Sequence, residues 1–117
     1  MSVAANIVVA IVALLHVWFL VLEMFLWTKP AGRRAFGLSA EFAQQSRSLA
    51  ANQGLYNGFL VAGLVWGLSL GDSGFGVKVF FLACVLAAGL FGGFTVSRKI
   101  FWIQALPAAA GLALLVT

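Results

Sequence analysis

Apolar positions fall into four long runs along this chain, and polar positions gather in the short stretches between them. The first run covers about Val3 to Trp27. At ~1.5 Å per residue it can cross a ~30 Å hydrocarbon core with some tilt. Lys29-Pro30 closes it, because proline cannot continue the hydrogen-bond ladder and disfavours helix in the residue before it. A polar segment follows, from Thr28 to Ala51. Ser39 offers an N-cap for a short helix over residues 40–51, with Phe42 and Leu49 on one face and Gln44, Gln45 and Arg47 largely elsewhere. That weak amphipathicity suits a helix lying at a membrane interface. The second run covers roughly Asn52 to Leu70, and Gly71-Asp72-Ser73-Gly74 reads as a tight turn. The third covers about Phe75 to Val96, Ser97-Arg98-Lys99 breaks it, and the fourth covers about Ile100 to Val116. The pattern predicts an all-α protein: an integral membrane four-helix bundle, a single domain over residues 1–117, with a short interfacial helix between spans one and two.

Composition agrees. The chain is 63% hydrophobic and 9% charged, where a soluble domain carries roughly 25% charged residues, and its mean hydropathy is +1.09. The formal net charge of +4 does not point to nucleic acid, because the basic residues are confined to the connections. Lys29, Arg33, Arg34 and Arg47 lie in the first connection, Arg98 and Lys99 in the third, and Lys78 beside the second. The positive-inside rule then puts loops one and three in the cytoplasm and both termini outside, in a bacterial inner membrane. A cleavable signal peptide is not expected: Met1 to Asn6 carry no Lys or Arg, and the apolar stretch behind them is too long. Cys84 has no second cysteine to pair with and reads as a small hydrophobe. Gly54 and Gly58, Gly63 and Gly67, Gly67 and Gly71, and Gly89 and Gly93 are each four apart, a spacing that lets helix backbones approach closely. They serve packing within one bundle or the face of a homodimer.

Candidate chemistry sits inside the spans. Glu23 and His16 are seven residues apart, about 700° of helix, so they share a stripe of span one. Ionisable groups at such positions usually face a bundle interior or a water-filled cavity. Counted from Trp27, Glu23 lies ~6 Å deep and His16 ~16 Å deep. Asn52, Gln53, Tyr56 and Asn57 occupy the first turns of span two, and Gln104 lies ~7 Å past Lys99 on span four. Glu23, Asn57 and Gln104 are therefore expected at similar depth on three helices, walling a cytoplasm-facing pocket with His16 at its floor. The alternatives are structural: Glu23 pairing with Arg98 or Lys99, and His16 as a satisfied interior histidine. One His and one usable Glu do not make a zinc site, and no cofactor, nucleophilic triad or phosphate loop is expected.

Four segments carry a resemblance. His16-Val17-Trp18-Phe19 and Leu22-Glu23-Met24-Phe25-Leu26-Trp27 open it, Phe36-Gly37-Leu38-Ser39 continues it, and Ala51-Asn52-Gln53-Gly54-Leu55-Tyr56-Asn57-Gly58-Phe59 is its clearest part. Over nearly the whole chain the sequence resembles a family of small bacterial four-helix membrane proteins catalogued as a domain of unknown function. The resemblance implies the four-helix fold and marks His16, Glu23, Asn52, Gln53, Tyr56 and Asn57 as motif positions. Some members carry an epimerase label, for which this chain offers no paired acid and base or cofactor site.

Three functions remain open. The first is a membrane protein binding a small molecule, lipid-like ligand or ion, and acting as a transporter, with Glu23 as the proton- or cation-binding group; so small a bundle would then work as a dimer. The second is an intramembrane enzyme using His16 and Glu23 on a lipid-like substrate. Their ~10 Å axial separation lets them flank a substrate but not touch. The third is a structural or accessory subunit of a larger membrane complex.

Overall fold

In the computed structural model, which describes residues 2–117, helix accounts for 87% of the chain and no strand occurs among the described residues. Six α-helices follow one another: α1 Val3–Met24, α2 Pro30–Phe36, α3 Ala40–Gln45, α4 Arg47–Ser69, α5 Phe75–Thr95 and α6 Leu106–Val116. A 3-10 turn, Gly71–Gly74, leads into α5, and a π-helical turn, Phe101–Ala105, leads into α6. Two helical stretches, Val3–Met24 and Gly71–Thr95, are long and apolar enough to cross a membrane. At 23 residues α4 is as long, but Asn52, Gln53 and Asn57 dilute its apolar character. The apolar stretch Phe101–Val116 is shorter.

Packing divides the chain into two compact units, one holding residues up to Leu14 together with Ala62–Thr117, the other Leu15–Val61. In the first, Val9, Val12 and Ala13 of α1, Leu64 of α4, Leu82 and Val85 of α5, and Ala105, Ala108 and Leu115 form a buried apolar core. The Ser2 hydroxyl caps α1 by accepting from the Ala5 backbone N–H at 3.1 Å. Glycines set the approach distances. A Cβ on Gly89 would lie 2.8 Å from the Cα of Ala105, so α5 meets the π-turn almost backbone to backbone, and one on Gly111 would lie 3.0 Å from Leu82 Cδ1, so α6 seats the Leu82 side chain of α5 against its backbone.

In the second unit, the polar connection is itself folded, and this corrects the sequence reading. Helix α1 ends at Met24 rather than running to Trp27. The backbone N–H groups of Phe25 and Leu26 both reach the Val21 carbonyl, and the chain then turns into α2. Pro30 sits at the start of α2, where its missing N–H is no loss. Gly37, at φ +64°, closes α2 with its N–H on the Arg33 carbonyl. The single helix expected over residues 40–51 is broken. Ser39 caps it as expected, its hydroxyl accepting from Phe42 N at 3.1 Å. However, α3 stops at Gln45, Ser46 turns, and residues from Arg47 onward belong to α4. Ser46 leaves the helix because its hydroxyl donates back to the Phe42 carbonyl at 2.7 Å and accepts the Trp27 indole N–H at 2.9 Å.

The fourth apolar run is also not one regular helix. Pro107 has no N–H to give the Ile103 carbonyl, and its ring crowds that carbonyl. The backbone answers by widening, so that the Leu106 N–H reaches Phe101 O across a π-turn.

Candidate functional site

The second unit brings together two of the expected residues. Glu23 is the second-last residue of α1, where the helix's own orphan carbonyls disfavour a carboxylate. It is 9% exposed. Compensation comes from α4: the Asn57 side-chain amide donates to Glu23 Oε1 at 2.5 Å, and Asn57 is itself buried. The contact depends on glycine. A Cβ on Gly54 would meet Met24 Cγ and lie 3.2 Å from Glu23 Cβ and 3.3 Å from the Leu20 carbonyl; one on Gly58 would lie 3.1 Å from Leu20 Cδ1. Gly54 and Gly58 therefore let α4 close on α1, and only at that spacing does a side chain as short as asparagine span the gap.

His16, on the same stripe as Glu23, is fully buried, with the edge of its ring against Phe19 at 5.1 Å between centroids. The rest of the expected constellation disperses. Asn52, Gln53 and Tyr56 are exposed on α4, and Tyr56 lies beside Phe59. They occupy other faces of the helix that buries Ala50, Gly54 and Asn57. Gln104 is half-buried in the π-turn and belongs to the first unit, not to that of Glu23 and Asn57. Among the described residues, no three His, Cys, Asp or Glu side chains cluster as a metal would need.

Sequence reasoning missed one polar group. Lys78, on the second turn of α5, is fully buried in the first unit. Its Nζ donates to Asn6 Oδ1 at 2.9 Å and to the Gly71 carbonyl at 3.4 Å, and a Cβ on Gly67 would lie 2.8 Å from its Cγ. The available signals were Asn6, an amide near the start of span one, and Gly67, the small residue that makes room for the lysine stem.

A largely helical, strongly apolar protein with a buried carboxylate–amide pair is the class these features define. More narrowly, the chain belongs to the family described as "Protein of unknown function (DUF1304)", whose sequence profile matches residues 10–116. It is similar to "Uncharacterized protein YpaA" of Lactococcus lactis subsp. lactis (strain IL1403), at 27% identity over 117 residues that cover 98% of this chain and 94% of that protein. No solved structure matches it.

Proposed function

We propose that this protein is an integral membrane four-helix bundle whose cytoplasm-facing polar site binds a small cation in exchange for a proton, with Glu23 as the binding carboxylate and Asn57 as the amide that positions it. The observation that carries the reading is the chemistry of the pair. A buried carboxylate opposite Arg or Lys is already neutralised. Glu23 is held by a neutral amide, which occupies one of about four acceptor positions on the carboxylate and leaves its charge uncompensated. Such a group in an apolar setting needs a proton or a cation.

Membrane insertion is supported by the two long apolar helices and by the large apolar side chains facing outward, among them Phe80, Phe91, Phe94 and Trp66, all more than half exposed. Such faces would be a liability in water. Sixteen residues from Phe101 to Val116 span ~24 Å, which a bilayer accommodates by local thinning. The Lys and Arg distribution supports cytoplasmic loops one and three and external termini. A bundle this small would transport as a dimer.

The test is flux. Full-length protein is reconstituted into proteoliposomes enclosing a pH-sensitive dye, and tetramethylammonium, a small cation that does not cross lipid by itself, is added outside. Proton movement above that of empty liposomes is expected, and Glu23→Gln should reduce it to background. Equal flux in the wild type and Glu23→Gln, or none in the wild type across a series of organic and alkali cations, overturns the reading.

A further inference from the structure

The first connection carries a feature that the Glu23 site does not use. Between α2 and its αL cap lies an open pocket of about 300 Å³, lined by Pro30, Arg33, Arg34, Gly37 and Leu38. Arg33 and Arg34 both line this one small concavity, in a segment with four cations and one carboxylate from Lys29 to Arg47. Arg33 Nε is shut off from solvent and has no hydrogen-bond partner.

The pocket stands on a rigid base. A Cβ on Gly32 would overlap the Leu26 backbone carbonyl, so α2 is seated directly on the end of α1. The Arg33 carbonyl accepts from both Gly37 N and Leu38 N, which fixes the last turn and the residues beyond it. Trp27 packs against Phe36 with the rings tilted at 48° and 4.9 Å between centroids, and its indole N–H donates to the Ser46 hydroxyl. On the same stretch of chain, Phe25, Phe36 and Phe42 stand exposed at 65%, 41% and 53%. Guanidinium forks suit tetrahedral oxyanions, and exposed aromatic side chains on the same segment suit the boundary between headgroups and acyl chains.

We infer that this pocket binds the phosphate of an anionic phospholipid headgroup, with Arg33 and Arg34 as its ligands. The inference rests on the membrane reading of the chain but not on transport. A free phosphate would share the recognition chemistry; the apolar Pro30 and Leu38 in the lining favour the lipid.

Native mass spectrometry of the full-length protein in mild detergent tests it, with phosphatidylglycerol and phosphatidylcholine supplied in equal amounts. The wild type is expected to retain phosphatidylglycerol preferentially. Arg33→Gln/Arg34→Gln should lower that retention by roughly an order of magnitude, as expected for two basic residues at an anionic surface. Arg33→Lys/Arg34→Lys, which keeps the charge and removes the forks, should fall between them. Arg98→Gln/Lys99→Gln removes the same charge from loop three and should retain lipid as the wild type does. Equal loss in both glutamine doubles, no preference in the wild type, or displacement of the lipid by inorganic phosphate overturns the assignment. A wild type that washes off membranes in alkaline carbonate would instead sink the membrane reading itself, so the two failures are distinguishable.

Discussion

Asparagine is an unusual partner for a buried carboxylate, and its neutrality makes two substitutions informative. Glu23→Gln keeps the shape and a hydrogen-bonding partner for Asn57, so melting of the protein in detergent should shift by less than the ~1 kcal/mol typical of one hydrogen bond. Asn57→Leu leaves the Glu23 carboxylate buried without its donor and should destabilise by about 2–3 kcal/mol, because hydrogen bonds to charged groups are the strong ones. Combining the two should recover most of that loss; additive losses would show that the pair is not coupled. Lys78 obeys the same asymmetry. Lys78→Met retains the stem against Gly67 and gives up the Asn6 bond, at about 1–3 kcal/mol, whereas Asn6→Leu strips an acceptor from a buried ammonium and should be worse. Thermal melts ranking Lys78→Met as the more damaging would contradict this account.

At the scale of the element, small residues decide which helices can touch. Gly54→Ala sets a methyl against Met24 Cγ, near the root of that side chain, with Glu23 Cβ and the Leu20 carbonyl close by, and helix propensity offsets only about 1 kcal/mol of the crowding. Gly54→Leu cannot be absorbed: it should wedge α4 from α1, break the Asn57 bond and match Asn57→Leu in its effect on melting. Gly32→Ala meets backbone rather than side chain and should unseat α2 by about 1–3 kcal/mol, read as faster proteolysis of the 30–46 segment. These elements also mark how far the sequence was legible. Apolar run lengths showed where the long helices lie, and the Asn-Gln-Gly segment pointed to Asn57 and Gly54. Helix α2 was hidden because its seven residues, rich in Gly, Arg and Pro, carry no apolar period; tertiary seating on Leu26 holds it. The break at Ser46 depends on a hydrogen bond to Trp27, nineteen residues away, which no local pattern announces. The burial of Lys78 rests likewise on Asn6, seventy-two residues away.

For the whole molecule, the proposed membrane reading and the distribution of charge predict a topology that labelling can check. In a Cys84→Ala background, Gln44→Cys should react with a membrane-impermeant maleimide only after the cytoplasmic face is opened, and Ser73→Cys should react in intact cells; the reverse order would invert the protein. The Lys and Arg count is the sequence signal that bears on this scale, and labelling is its test, while the grouping of Gln104 apart from Glu23 and Asn57 is a matter of packing that position along separate apolar runs could not reveal. The neutral partner of Glu23 has an electrical consequence at the same scale. Under the proposed exchange, the carboxylate, which has no cation beside it among the described residues, is compensated by one proton or by one monovalent ligand, and a one-for-one swap carries no net current. Moving an elementary charge through a membrane potential is worth about 2.3 kcal/mol per 100 mV, and such a swap would escape that term altogether. Clamping the proteoliposome voltage with valinomycin should therefore leave the flux of a monovalent cation unchanged.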